Sequence, residues 1–168
     1  GPYHIGRPRA TASRRAMLDA AGVAYQAVPV EIDERALEES LPGHGPARVA
    51  LALAQAKAQA VSRQHPDALV LGSDSLVAVD GRRFDKPASR EHAGEHLRFF
   101  SGRTMELHSA AALARGGAVI WSHGDVARLK VRTLSEDFIE DYLAHEWPAV
   151  AGCVGVFRIE ARGVQLFE

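Results

Sequence analysis

The sequence predicts one domain of mixed α/β (α+β) structure over residues 1–168, in which helices flank a mixed twisted sheet. Helical stretches alternate with short runs that are rich in β-branched and aromatic residues. Turn signals at Asp80-Gly81 and Arg115-Gly116-Gly117 are typical of hairpins, so antiparallel strand pairs are expected beside βα units. The 168 residues are 46% hydrophobic and 24% charged, a composition that can bury a full core.

The first part of the chain holds two predicted helices with a strand between them. Residues 14–21 carry apolar side chains at helical spacing, and residues 23–30 are rich in β-branched and aromatic side chains. An acidic turn is expected over residues 31–34. The alanine-rich stretch 47–63 predicts a long helix, because its larger apolar residues recur at helical spacing and alanine has the highest helix propensity.

The middle of the chain begins with a predicted buried strand over residues 68–72, a continuous apolar run that ends just before Asp74. A hairpin formed by residues 76–79 and 82–84 should follow. Residues 89–100 predict a helix, because the serine at their start can accept a hydrogen bond from an unpaired backbone N–H.

The last third of the chain predicts two longer strands, over residues 104–113 and 119–131, joined by the second hairpin turn. A helix should begin after Ser135 and end at Trp147-Pro148. Residues 164–167 are predicted to form a final strand.

Charge, cysteine content and hydropathy exclude several classes of protein. Lys plus Arg number 20 against 21 Asp plus Glu, a net charge of -1, so the basic field of a general nucleic-acid binder is missing. The single cysteine, Cys153, excludes an internal disulfide framework and a multi-thiolate zinc site, and it indicates the cytoplasm. No apolar run approaches the roughly 20 residues that span a bilayer, so no membrane insertion is expected.

Two side chains are the first candidates for chemistry. Asp74 follows a predicted buried strand, where open α/β sheets bind ligands, and a carboxylate there can hold a metal or move a proton. The alternative is a turn cap formed with Ser73 and Ser75. Lys86 precedes Pro87 in a short loop, and an ammonium held beside a rigid residue suits a phosphate, although a solvated surface lysine is also consistent.

Three weaker signals each have a plain structural alternative. Residues 11–15 place hydroxyls and guanidiniums where a helix begins, which suits an anion or ordinary capping. Glu31, Asp33 and Glu34 offer oxygen ligands for Mg²⁺, or form a solvated acidic turn. Cys153 lacks nearby groups that would activate a thiolate and is favoured as a core residue.

Taken in order, short motifs across nearly the whole chain resemble the Maf family of nucleoside triphosphate pyrophosphatases. The motifs are Ser13-Arg14-Arg15-Ala16-Met17-Leu18 with Gly22-Val23, Ile32-Asp33-Glu34, Ala54-Gln55-Ala56-Lys57-Ala58, Leu71-Gly72-Ser73-Asp74, Asp85-Lys86-Pro87, Ser101-Gly102-Arg103-Thr104, Leu134-Ser135-Glu136 and residues 155–167. Their order and spacing carry the resemblance. It implies a cleft between two lobes and hydrolysis between the α and β phosphates, which yields a nucleoside monophosphate and pyrophosphate.

The resemblance also implies roles for individual residues. Asp74 matches the family's proton-accepting aspartate, and Glu34 matches a carboxylate beside the divalent cation, Mg²⁺ or Mn²⁺, so that both are expected metal ligands. Arg14, Lys57 and Lys86 match basic residues that neutralise the triphosphate, and Lys86 is counted with Asp74 and Glu34 among the catalytic residues.

Base selection is expected at Ser13, Ser75 and Glu160. The resemblance implies Arg, Thr and Gln there in members acting on dTTP and UTP, and Trp, Gln and Glu in members acting on 7-methyl-GTP; this chain matches neither set. A carboxylate at Glu160 can accept hydrogen bonds from N1–H and the exocyclic amine of guanine, which favours a guanine-type base, with broad selectivity as the alternative.

Two rival functions remain at the level of sequence. One is a nucleotide-responsive binding protein that regulates cell division with little turnover, and the other is a nucleic-acid module that uses the arginines near the start of the chain. No nucleic-acid partner and no membrane are expected for the preferred function. The resemblance implies a glycine-rich loop and a closing helix that the given sequence, which ends at Glu168, does not include; if the protein itself is shortened there, an exposed sheet edge would favour a homodimer.

Overall fold

The computed structural model describes residues 3–5, 25–28 and 30–149. The strands are β1 (Tyr3–Ile5), β2 (Tyr25–Ala27), β3 (Val70–Val79), β4 (Arg82–Phe84), β5 (Thr104–Arg115) and β6 (Ala118–Lys130). The helices are α1 (Glu34–Glu39), α2 (Pro46–Gln64), α3 (Arg90–Phe100) and α4 (Glu136–Glu146).

The strands of the described residues form one six-stranded mixed sheet. Its order is β2-β1-β3-β5-β6, and β4 pairs with β3 off this path. β1 runs parallel to β2 and to β3, whereas β4 is antiparallel to β3, with Val77 opposite Phe84. The predicted mixed sheet and flanking helices are therefore confirmed, while the cleft between two lobes stays a prediction.

The chain divides into two compact units. The first contains the described residues up to Ser75 together with Ser109–Asp125, and the second contains Leu76–His108 and the described residues from Val126. The prediction of one domain over residues 1–168 is not tested by this division and stays a prediction.

The core of the second unit lies between α3, α4 and the adjoining strands. Ser89 caps α3 and Ser135 caps α4, each by accepting a hydrogen bond from the backbone N–H three residues on. The buried apolar side chains come from both helices and from the strands: Val77, Val79, Phe84, Ala93, Leu97, Phe100, Met105, Val131, Leu134, Ile139, Tyr142 and Leu143.

In the first unit, α2 supplies a long buried face. Proline at its first turn has no N–H to leave unpaired, and the alanines allow a close approach to neighbouring backbone. Its buried residues recur mostly at spacings of three and four: Val49, Ala50, Leu53, Ala54, Lys57, Ala58, Val61 and Ser62. One of them, Lys57, is charged, and its partners form the candidate site described below.

Most of the predicted elements are confirmed. The three helices predicted over 47–63, over 89–100 and after Ser135 are present, and both hairpins form as expected. The predicted helix 14–21 and strand 164–167 lie outside the described residues. Of the predicted strand 23–30, residues 25–27 form β2, and residues 28 and 30 lie outside any strand.

Two predictions about the elements around the site were wrong. The strand predicted over 68–72 continues as β3 to Val79, so Asp74 lies inside a strand and not after its end. Its carboxylate is paired with a lysine from α2, and this partner allows a charge to be buried inside the sheet. The acidic turn 31–34 instead leads into α1, because the Asp33 side chain accepts a hydrogen bond from the N–H of Ala36 and caps that helix.

Candidate functional site

Three charged side chains of the first unit meet at the nitrogen of one lysine. Lys57 Nζ lies 2.7 Å from Glu34 Oε1 and 3.1 Å from Asp74 Oδ1. The side chains of Lys57 and Asp74 are only 3% and 4% exposed, whereas that of Glu34 is 43% exposed. We refer to Glu34, Lys57 and Asp74 as the Lys57 cluster. It is buried at the lysine and the aspartate, and open to solvent at the glutamate.

The periodicities of a helix and a strand explain why Lys57 and Asp74 meet. Leu53, Lys57 and Val61 are spaced by four residues, so they share the buried face of α2. Gly72 and Asp74 are alternate residues of β3 and therefore point to the same side of the sheet. A Cβ on Gly72 would touch the backbone of α2, so this side of β3 faces that helix. Asp74 is thus directed at the buried face that carries Lys57.

Glu34 reaches the cluster from a third element. It is the first residue of α1, and the Asp33 cap immediately before it sets where that helix begins. The first turn of a helix favours a carboxylate, because unpaired backbone N–H groups and the helix dipole are positive there. The sequence places Glu34 at this position by local rules, and the packing of α1 against α2 brings its carboxylate to Lys57.

Gly72 allows the close contact between β3 and α2. A Cβ at this position would lie 2.6 Å from the carbonyl oxygen of Ala54 and 2.7 Å from the backbone nitrogen of Ala58. These are backbone atoms, which cannot rotate away as a side chain can. The absent side chain of Gly72 therefore sets the distance at which Lys57 and Asp74 can pair.

Gly72→Ala should destabilise the protein by about 1 to 3 kcal/mol, the usual cost of overpacking a tight contact. Chemical denaturation measures the loss, which arises because the added methyl group pushes β3 and α2 apart. Gly124→Ala in β6 is the matched control, since a Cβ there meets only the carbonyl oxygen of Ser109 at 3.8 Å, an ordinary contact. A Gly72→Ala protein as stable as the parent would contradict the close packing of these elements.

The donor chemistry of the Lys57 cluster suits a hard divalent cation. Two carboxylates around one ammonium leave a net negative charge, and Mg²⁺ is commonly held by one or two carboxylates together with substrate phosphates. Among the described residues, no group of three or more His, Cys, Asp or Glu is placed to hold a metal. Glu34 and Asp74 therefore offer two of the oxygen ligands that such a cation needs.

The other predicted site residues are distributed as follows. Ser75 follows Asp74 in β3 and is half-buried. Lys86 belongs to the second unit, where it lies exposed in the loop between β4 and α3. Ser13, Arg14 and Glu160 lie outside the described residues, as does Cys153. The structure thus brings Glu34, Lys57 and Asp74 together, and the roles of all eight predicted site residues stay predictions.

The ionic contacts of Lys57 were not predicted from sequence. Reasoning from the residues offered no reason to pair Lys57 with Asp74, because they lie on different elements. One usable signal was the single lysine on the apolar face of an alanine-rich helix, since a buried charge requires a partner. A second signal was the glycine two residues before an aspartate in an apolar strand.

The chain is similar to a known protein family and to several curated proteins. A family profile described as "Maf-like protein" matches residues 10–168. This chain belongs to the Maf family. Within the family it is 46% identical over 157 residues to a protein of Rhizobium meliloti named 7-methyl-GTP pyrophosphatase, covering 92% of this chain and 79% of the relative. It is 43% identical over 161 residues to a Gluconobacter oxydans protein named nucleoside triphosphate pyrophosphatase, covering 94% and 79%.

The fold of this Maf protein is also similar to that of a solved structure. It is similar to the structure of a HAM1 protein from Coxiella burnetii, with a TM-score of 0.52 and 16% identity, over 77% of this chain and 72% of that one. At this identity the likeness shows the fold alone. Across the described residues, the Maf chain contains no helix that is both long and apolar enough to cross a membrane.

Proposed function

We propose that this Maf protein hydrolyses nucleoside triphosphates to a nucleoside monophosphate and pyrophosphate. The observation that carries the proposal is the Lys57 cluster, in which the almost fully buried Asp74 and the half-exposed Glu34 both contact Lys57. The cluster lies within the residues that match the Maf family. Relatives at 46% and 43% identity bear pyrophosphatase names, which supports the same reaction class. The proposal places the chemistry at Asp74 and Glu34.

In the proposed reaction a water oxygen forms a bond to the α phosphorus. The bond from that phosphorus to the oxygen bridging to the β phosphorus breaks, and pyrophosphate leaves with the bonding electron pair. Asp74 accepts the proton of the attacking water as general base, a contribution that is typically about 10² to 10⁴ in rate. Lys57 compensates the buried charge of Asp74 and keeps its carboxylate oriented.

A divalent cation, Mg²⁺ or Mn²⁺, is proposed as the cofactor, with Asp74 and Glu34 as its protein ligands. Such an ion would withdraw charge from the phosphate oxygens and so assist displacement at phosphorus. Glu34 is the more exposed carboxylate of the cluster and is the one that an entering cation and triphosphate would meet first. Lys86, Arg14 and Lys57 are proposed to neutralise the negative charge that develops on the leaving pyrophosphate.

The preferred base is a finer proposal. Glu160 would read the edge of guanine or 7-methylguanine, and Ser13 and Ser75 would complete the base pocket. Small hydroxyl side chains at two of the three positions favour a roomy pocket, so several purine nucleotides are expected to be accepted. The cytoplasmic location and a homodimer stay predictions.

A product analysis tests the reaction. Purified protein is incubated with standard nucleoside triphosphates and 7-methyl-GTP, with Mg²⁺ or Mn²⁺, in water labelled with heavy oxygen. We expect pyrophosphate and a nucleoside monophosphate that carries the label, because the attack is proposed at the α phosphorus. Orthophosphate with a nucleoside diphosphate would contradict the proposed scissile bond. Tight binding without any product would instead support the rival, a nucleotide-responsive binding protein.

A further inference from the structure

The loop that carries Lys86 is fixed at both ends by one face of α3. On its N-terminal side, Phe84 is buried and its ring lies 5.0 Å from that of His96 in an edge-to-face arrangement. On its C-terminal side, the backbone N–H of Ala88 donates a hydrogen bond of 3.0 Å to Nδ1 of His92. Lys86 itself is exposed, so its position depends on these neighbours.

His92 takes part in a variant of the capping box at the start of α3. The Ser89 side chain accepts a hydrogen bond from the backbone N–H of His92, and the His92 ring reaches back to the N–H of Ala88. In the common form of this motif, a Glu or Gln side chain accepts from the backbone N–H of the capping residue itself. Here an imidazole accepts from the N–H one residue earlier, that of Ala88, and the accepting nitrogen Nδ1 therefore carries no proton.

The two histidines lie one helical turn apart and contact each other. Their ring centroids are 4.3 Å apart, and His96 is buried with no hydrogen-bond partner for its Nδ1 among the described residues. Burial lowers the pKa of His96 below its ordinary value, and the nearby His92 and Arg82 add to this effect. A neutral His96 packs against Phe84 as an aromatic residue and supports the ring of His92 on its other side.

We propose that His92 is a positioning residue for Lys86, acting through the hydrogen bond that it accepts from Ala88. This inference rests on the proposed function, in which Lys86 neutralises the leaving pyrophosphate. Pro87 is buried and restricts the backbone between the two residues, so fixing Ala88 also restricts Lys86. Losing the hydrogen bond frees the C-terminal side of the loop while leaving its Phe84 side in place.

Two substitutions of His92 with side chains of similar shape distinguish a role in positioning Lys86 from a role in stabilising the helix. His92→Asn would keep an acceptor, the oxygen Oδ1 bonded to Cγ, where histidine has Nδ1, whereas His92→Leu would leave only a methyl group there. Leucine has the higher helix propensity, so a purely structural role predicts that His92→Leu is the better tolerated change. Positioning predicts the opposite order in activity.

The measurement is kcat and KM for triphosphate hydrolysis by the purified protein. We expect His92→Leu to lower kcat/KM about three- to tenfold, the range given by one lost hydrogen bond, with most of the change in kcat. His92→Asn should stay within about twofold of the parent, since it restores the acceptor. Equal activity of the two variants, or a lower activity for His92→Asn, would overturn the proposal.

A double-mutant cycle shows whether His92 acts through Lys86. Lys86→Met should lower kcat/KM by about tenfold or more, and adding His92→Leu to it should cause no further loss. Independent, additive losses would overturn the proposal while leaving the pyrophosphatase function intact. If Lys86→Met has no effect, the role of Lys86 and this inference both fail. A failure of the proposed function itself would be visible separately, as a parent protein that releases no pyrophosphate.

Discussion

Asp74→Asn should abolish pyrophosphate release while nucleotide affinity stays within a few-fold of the parent. The substitution removes the proposed base and metal ligand but little volume, and general base catalysis contributes about 10² to 10⁴ in rate. Glu34 still lies 2.7 Å from Lys57, so the buried ammonium keeps an anionic partner and the fold should survive. Steady-state release of pyrophosphate, with separate titration of a fluorescent nucleotide, measures the two effects.

Asp67→Asn is the matched control for this substitution. Asp67 is an exposed residue shortly before β3, and the same change of charge there should leave turnover within about twofold. Full turnover in Asp74→Asn would show that the proton acceptor has been assigned to the wrong residue. A loss of both turnover and nucleotide binding would argue against a role confined to the chemical step.

Lys57→Met should destabilise the protein, because it removes the ammonium from a buried ion pair, a change that costs up to about 3 to 5 kcal/mol. Asp74 is only 4% exposed, so water does not replace the contact that the ammonium makes with its carboxylate. The Lys57→Met/Asp74→Asn double variant removes both buried charges and should regain much of this stability, yet remain inactive. Urea denaturation and turnover assays measure the two properties independently.

Lys130→Met provides the reference for Lys57→Met. Lys130 is exposed and donates to the carbonyl oxygen of Gly102, so its loss should cost about 1 kcal/mol or less. A double variant no more stable than Lys57→Met would show that the instability comes from lost packing of the lysine stem. Recovery of activity in the double variant would contradict the role proposed for Asp74.

Local patterns predicted most of the fold. The helices around Lys57 and His92 follow from alanine content, helical spacing and a serine cap, all of which act within a few residues. The predictions failed where a distant partner decides the local structure. The segment Ser73-Asp74-Ser75 has the sequence of a turn, but in the structure it lies inside β3, where Lys57 pairs with the buried carboxylate of Asp74.

The candidate site was predicted as separate residues and not as a cluster. Resemblance to the Maf family named Asp74, Lys57 and Glu34 individually, and the family match over residues 10–168 bears out the membership. The contacts among them were not predictable from spacing, since each residue comes from a different element. The role of His92 was not predictable from the sequence, because a histidine in the first turn of a helix is commonly exposed to solvent and its hydrogen bond with Ala88 is visible only in the structure.

The sequence by itself determined the mixed α/β class, the principal helices, the hairpins and the family to which the chain belongs. These depend on periodicity, turn chemistry and motif order, which are properties of neighbouring residues. Tertiary structure alone decided that Glu34 and Asp74 meet at one buried ammonium, and that Gly72 lets β3 approach the helix that carries Lys57. The physical reason is that burying a charge depends on a partner far away in the chain, and only packing brings that partner within bonding distance.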